Sequence, residues 1–283
     1  MARKKEIYVN IDEDQVIKKK EKKKIDVKKL IRKILLIILI FIFLFSLINI
    51  IRWVIYNKNT STMTKSLKEE YFSENIDLEN IKNDNSSNVN KVFENPIDFE
   101  ELKEINEDVV GWIRIQNTDI DYPIVQGEDN DYYLHKDINK KYSTCGWIFM
   151  DYKNTNTFID KNTVLYGHNL KSGIMFYDLQ KILDNKLGNN VTIEIFTPNE
   201  KLEYRVYSCY MEAPEEYAIK SNLVEEDDVQ DYVKEMLNRS KIPYNIVPDK
   251  TDKLITLSTC DSSGKNRIII HGVYVKGQVY RNK

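Results

Sequence analysis

Cys260 closes the apolar run Leu254-Ile255-Thr256-Leu257-Ser258-Thr259-Cys260 and is followed at once by the polar loop Asp261-Ser262-Ser263-Gly264-Lys265-Asn266. A thiol at a strand's exit sits where a substrate can reach it. Alternation along the strand puts Cys260 on the face of Ser258 and Thr256. Arg267 lies seven residues on and opens the next strand-like run, so a tight antiparallel return brings a guanidinium beside the thiol. A permanently charged donor there favours the thiolate and binds a carbonyl oxygen as it becomes negative. His168 ends a third run, Leu165-Tyr166-Gly167-His168-Asn169, 92 residues before the cysteine. Only the fold can unite such a base with its nucleophile.

The other candidates read as structural. A lone cysteine in a β protein is usually a small buried hydrophobe, and Cys145 and Cys209 fit that description. His135 and His271 likewise look structural, His271 lying inside a strand. The acidic run Glu225-Glu226-Asp227-Asp228 opens a helix, where acids favour the macrodipole. No set of three or four ligands has zinc-like spacing, so no metal and no cofactor is expected.

The elements that must carry the three residues are mostly short strands. Eight segments qualify by β-branched and aromatic content between turn residues: 111–115, 120–125, 146–150, 162–166, 191–196, 202–211, 253–260 and 267–275. The fifth and sixth are joined by Thr197-Pro198-Asn199-Glu200-Lys201, a hairpin-length turn. Asp98 with Glu101 three residues on starts a short helix whose apolar face is Phe99, Leu102 and Ile105. Helices are also expected over 172–183 and 227–238, the second with Val229, Tyr232, Val233, Met236 and Leu237 on one stripe. Many strands and few helices argue a mainly β fold: a closed barrel with peripheral helices.

Charge divides the 283 residues unevenly. Residues 1–33 hold 13 Lys and Arg against 6 Asp and Glu, a net of +7, and the remainder carries 29 against 38, a net of −9. Between them, residues 34–51 are uncharged, with Ser46 and Asn49 the only polar side chains. As a helix those 18 residues span about 27 Å, close to the hydrocarbon thickness of a bilayer. Arg52, Trp53 and Tyr56 follow as an interfacial set, and no small-residue cleavage site ends the stretch. The expected organisation is a basic cytoplasmic tail over 1–33, an uncleaved transmembrane anchor over 34–56, and an extracellular stalk over 57–92 with a helix near 67–81. A globular domain over 93–283 completes it. The positive-inside rule sets this orientation. The Lys-rich block has anionic lipid as its partner and needs no nucleic acid.

Thr256-Leu257-Ser258-Thr259-Cys260 with Arg267, and Tyr166-Gly167-His168-Asn169 upstream, resemble the sortases, membrane-anchored cysteine transpeptidases of Gram-positive bacteria. The likeness covers residues 95–280. Gly111-Trp112-Ile113-Arg114-Ile115, Ile120-Asp121-Tyr122-Pro123-Ile124-Val125-Gln126-Gly127, Asp131-Tyr132-Tyr133-Leu134 and Ile148-Phe149-Met150-Asp151-Tyr152 look like class B, as does the helix at 227–238. Cys145 stands where the resemblance leads one to expect a small residue such as Ala, and six residues between Cys260 and Arg267 make a short loop for the class.

The resemblance implies the eight-stranded sortase barrel, with Cys260 as nucleophile, His168 as acid/base partner and Arg267 as orienter of substrate and oxyanion. It also implies a substrate groove at Ser258, Asn130, Leu134, Tyr217 and Ile219. The implied partners are surface proteins bearing a C-terminal Asn-Pro-x-Thr-type sorting motif, a peptidoglycan precursor or cross-bridge amine, and membrane lipid around 34–56. Two other readings of the residues stand beside it. One is another cell-wall cysteine peptidase or an L,D-transpeptidase, although L,D-transpeptidases carry a His-Gly shortly before the cysteine and no His lies between His168 and Cys260. The other is a non-catalytic tethered binding module in which Cys260 is merely packed.

Overall fold

The computed structural model describes residues 7–10, 16–19, 26–72, 94–213, 219–260 and 264–280. The chain divides into two units, Met1–Arg52 and Trp53–Lys283. In the first, β1 (Ile7–Asn10) and β2 (Val16–Lys19) pair antiparallel with Ile7 opposite Lys19. The helix α1 (Val27–Tyr71) is long and apolar enough to cross a membrane, and its large apolar side chains as far as Ile55 are exposed.

The second unit begins in the last turns of α1. A polar composition suggested a stalk here, yet Asn57, Thr60, Thr64, Leu67 and Tyr71 are buried. Leu67, Tyr71 and Phe72 belong to the barrel's main core, and the Lys68 ammonium lies 2.9 Å from the Asp121 carboxylate. The heptad-like spacing of the buried positions is what lays one face of the helix along the barrel. The helix ends at Tyr71 and Phe72 leaves it to bridge Ile97, so the helix expected near 67–81 is present only over 67–71, and residues 73–81 lie outside the described residues.

α2 (Phe99–Ile105) starts as its capping signal requires, the Asp98 carboxylate accepting from the Glu101 amide at 3.0 Å. The eight strands that follow are β3 (Val109–Ile115), β4 (Asp121–Gln126), β5 (Phe149–Met150), β6 (Asn162–Tyr166), β7 (Thr192–Phe196), β8 (Glu200–Glu212), β9 (Leu254–Cys260) and β10 (Arg267–Val279). They close into one barrel in the order β10-β8-β7-β3-β4-β5-β6-β9. Two neighbouring pairs are parallel, β4 with β5 and β6 with β9. Fully buried Trp112, Trp147, Phe149 and Tyr204 belong to the main core, Trp112 packing against Phe72 beyond the end of α1, and the Trp147 indole N–H donates to the Pro123 carbonyl at 2.9 Å. Closure leaves no edge strand to protect.

α3 (Leu179–Leu183) is much shorter than the helix expected over 172–183. Gly173 at φ +87° and Met175 at φ +60° break the helical path. The chain there turns back so that the Phe176 amide donates to the His168 carbonyl at 2.9 Å and the Met175 amide to the Tyr122 hydroxyl at 3.0 Å. α4 (Glu226–Arg239) matches its stripe: Val229, Tyr232, Val233 and Met236 pack with Tyr207, Tyr210, Leu254, Ile269 and Val273 on the barrel's outer face.

Candidate active site

The parallel pairing of β6 with β9 sets the site. Tyr166 stands opposite Ser258, and the Gly167 amide donates to the Ser258 carbonyl at 3.2 Å. Two residues further along each chain come His168 and Cys260, so both leave the same end of the barrel. On the other side of β9, antiparallel β10 sets Arg267 directly opposite Cys260. Three adjacent strands thus bring the three sequence-selected residues to one level. The structure describes the backbone of Cys260 and not its side chain.

His168 is held from its far nitrogen. Nε2 lies 2.9 Å from the Leu134 carbonyl oxygen. A carbonyl only accepts, so Nε2 carries the proton and the neutral ring keeps its lone pair on Nδ1. Burial lowers the imidazole's pKa from its ordinary value; the Leu134 carbonyl opposes this, while the positive charges of His135 and Arg267 add to it. The sign follows from charge: a nearby cation disfavours the imidazolium. Arg267→Gln is therefore expected to move the NMR titration midpoint of the His168 Cε1 proton to higher pH. An unmoved or lowered midpoint would mean that the guanidinium does not act on the ring.

The Leu134 carbonyl is itself positioned by a short 3-10 turn, Tyr132–Leu134. The Asp129 carboxylate starts it, accepting from the Asp131 and Tyr132 amides at 2.9 and 2.8 Å, which holds the Asp129 carboxyl below the usual range. Tyr133 is fully buried, its hydroxyl donating to Asp108 at 2.6 Å, and its carbonyl accepts from the Trp147 amide at 2.9 Å. Gly146 closes the arrangement at φ +57°. A Cβ there would lie 2.7 Å from each of three atoms: His168 Cδ2, the Leu134 oxygen and the Tyr133 oxygen. Sequence reading took Gly146 for the start of a strand and missed this role. The strand begins only at Phe149.

The residues read as a groove are placed as follows. Ser258 is buried on β9 beside Tyr166. Asn130 ties two loops together, donating to Asp151 at 3.0 Å and accepting from the Tyr152 amide at 3.0 Å. Leu134 is half-buried against the core, and the contact it makes with His168 is through its backbone. Ile219 is half-buried against the α4 cluster, and Tyr217 lies outside the described residues. On the other neighbour of β10, Glu212 of β8 stands opposite Arg267 and pairs with Arg239 of α4 at 2.8 Å. Among the described residues no group of three or more His, Cys, Asp and Glu is arranged to hold a metal ion.

A strand-end cysteine with a histidine and an arginine on the flanking strands of a closed barrel is the scaffold of a thiol-dependent acyltransferase. The sequence pattern of the sortase domain matches residues 113–275, and the chain belongs to the sortase family, in class B. It is 36% identical over 238 residues to sortase B of Listeria monocytogenes, covering 83% of this chain and 92% of that protein. A sortase B structure from Bacillus anthracis, in complex with AAEK2, superposes with a TM-score of 0.64 at 29% identity, covering 78% of this chain and 98% of that one. A Staphylococcus aureus sortase B–substrate complex superposes with a TM-score of 0.58 at 31% identity, covering 63% and 84%. Enzymes of this class are cysteine transpeptidases, and so is this one.

Proposed function

We infer that Cys260 is the nucleophile, His168 its acid/base partner and Arg267 the oxyanion donor in cleavage after Thr of a C-terminal Asn-Pro-x-Thr-type motif. The observation that carries this reading is the shared level of the three residues on β6, β9 and β10. The Cys260 thiol gives its proton to the Nδ1 lone pair of His168, the thiolate attacks the Thr carbonyl carbon, and the oxygen takes up the electron pair beside the Arg267 guanidinium. The C–N bond then breaks, the departing amine takes the Nδ1 proton of His168, and a thioester remains. An amine of a peptidoglycan cross-bridge or stem peptide attacks the thioester and gives its proton to Nδ1, and the C–S bond breaks to release the thiolate, which takes that proton back from Nδ1. Because Nε2 stays bonded to the Leu134 carbonyl throughout, proton traffic is confined to Nδ1.

Ser258, Asn130, Leu134 and Ile219 contribute to the groove for the motif in this reading, and Tyr217 is assigned to it by the family resemblance alone. The apolar part of α1 anchors the chain in the membrane, with residues 1–33 in the cytosol and the barrel facing the wall, as the excess of Lys and Arg before the span favours. The likeness to a sortase B solved with its substrate supports peptide cleavage as the first half-reaction. The test is the acyl-enzyme itself. Mixed with an Asn-Pro-x-Thr-type peptide and no added amine, the full chain in detergent micelles should gain the mass of the fragment ending in Thr, on the tryptic peptide containing Cys260. An adduct elsewhere, or release of that fragment with no thioester, would overturn the assignment.

A further inference from the structure

The buried face of α1 beyond Trp53 has a composition that packing alone does not explain. Three of its five buried positions, Asn57, Thr60 and Thr64, are polar. Thr64 satisfies its hydroxyl within the helix, on the Thr60 carbonyl at 2.6 Å. Asn57 does so only in part. Its Nδ2 donates to the Trp53 carbonyl at 3.1 Å, which fixes the amide's orientation and turns Oδ1 outward as an acceptor. Two donors from the barrel meet that one oxygen: the Ser172 hydroxyl at 3.0 Å and the Cys145 thiol at 3.4 Å.

Both donors sit on the walls around His168. Ser172 lies in the tight loop that follows it, where Asn169 bridges to Met175 and the Gly173 amide donates to the Leu170 carbonyl at 2.9 Å. Cys145 precedes Gly146, whose backbone rests against the imidazole. The two segments are distant in sequence, and Asn57 links them 88 and 115 residues from its own position. Cys145, buried where the family resemblance suggests a smaller side chain, has in Asn57 a partner for its S–H.

We propose that Asn57 is a positioning residue for His168: its side-chain oxygen clamps the loop after the histidine to the segment beneath it, making the juxtamembrane helix part of the catalytic scaffold. The geometry explains why an amide stands at a buried helical position. An apolar residue there would leave the buried Cys145 thiol without its acceptor and let the exposed Ser172 hydroxyl turn to water, so the loop is no longer tied to the helix and moves outward. His168 would follow, because the loop returns directly onto its carbonyl through Phe176. Displacement of a proton-transfer group by about 1 Å is enough to cost up to about 100-fold in rate, while substrate binding is spared.

The kinetic arm rests on the transpeptidase reading above; the spectroscopic arm does not. Full chain in detergent micelles would be compared as wild type, Asn57→Leu, Ser172→Ala and the double variant. Each single variant should lower kcat for the peptide about tenfold with KM within about twofold, and the double variant should be no worse than the poorer single one, since both break the same bond. The His168 Cε1–H signal should move in every variant while that of His271, on the far side of the barrel wall, stays in place. Losses that multiply in the double variant, or a His168 signal that does not move, overturn the proposal. Should Asn57→Leu fail to fold, Ser172→Ala breaks the same contact from an exposed loop and decides alone. If the wild type does not turn the peptide over, the transpeptidase reading falls and the His168 signal still judges the clamp.

Discussion

Gly146→Ala is expected to lower kcat by about 100-fold, approaching the loss from deleting the His168 ring, although the added methyl reaches no substrate. Two separate costs meet at this position. The backbone is at φ +57°, where an L-residue pays about 1–2 kcal/mol that glycine does not. The larger cost is steric. The methyl carbon would stand 2.7 Å from His168 Cδ2 and from the carbonyl oxygens of Leu134 and Tyr133. Two of those atoms are backbone, in a turn pinned by Asp129 and by the Trp147 amide, so the imidazole is the group that yields. Moving it breaks the 2.9 Å bond from Nε2 to Leu134, and with it the tautomer that keeps the lone pair on Nδ1. Peptide cleavage by the full chain, with a thermal melt of the same sample, separates lost activity from lost fold. Gly146→Asn separates the two costs: Asn tolerates positive φ but carries the same Cβ, so its activity should remain as low. Recovery in Gly146→Asn would show that backbone strain, and not contact with the imidazole, governs the position.

The parts of the fold that sequence made legible are those set by local pattern. The strand at 162–166 matches at both ends because its β-branched run is bounded by turn residues, and α4 matches because five apolar residues share one stripe. The strand expected over 146–150 contracts to two residues, since Gly146 is needed for a left-handed turn that composition does not announce. β10 outruns its apolar stretch through Lys276, Gly277 and Gln278 because β8 is there to pair with them. The three residues proposed for catalysis were visible as strand ends. The parallel register that sets His168 level with Cys260 was not, because pairing between β6 and β9 leaves no mark in either strand. The polar face of Asn57, Thr60 and Thr64 reads as a solvated stalk until its partners in the barrel are known. Local residues thus announce elements, while the residues that hold His168 owe their meaning to contacts far along the chain.

Acid is expected to destabilise the barrel through His271 more than through any other single histidine. The ring is fully buried on the outer face of β10, stacked on Tyr210 at 5.6 Å and edged by Tyr232 of α4 at 5.7 Å. Its Nδ1 lies 2.9 Å from the Thr256 hydroxyl, which donates its own proton to Asn162 at 2.9 Å; Nδ1 is therefore the protonated nitrogen of a neutral ring. Nε2 lies 3.2 Å from the Tyr210 hydroxyl. No anion is among these partners, and burial pushes the pKa down to about 3 from the ordinary 6.5. The unfolded chain binds a proton at this histidine below about 6.5 and the native chain does not until about 3. Stability is therefore fully present above 6.5 and falls with pH through that window, by about 1.4 kcal/mol per unit. From pH 6.5 to 4 the loss attributable to His271 is about 3 kcal/mol, a large share of the 5–15 kcal/mol that holds a typical domain. His271→Phe removes the titration while Thr256 keeps Asn162 and the Tyr210 hydroxyl keeps Met236 Sδ at 3.0 Å. Urea melts in mild detergent, followed through the buried Trp112 and Trp147, should show a shallower decline with pH in the variant, whatever its stability at neutral pH. Equal slopes would mean that the native ring takes up its proton without cost. The consequence reaches the site through β9: Thr256, the partner of His271, lies on the strand that ends at Cys260, so the acid-sensitive contact between α4 and the barrel also steadies the strand of the proposed nucleophile.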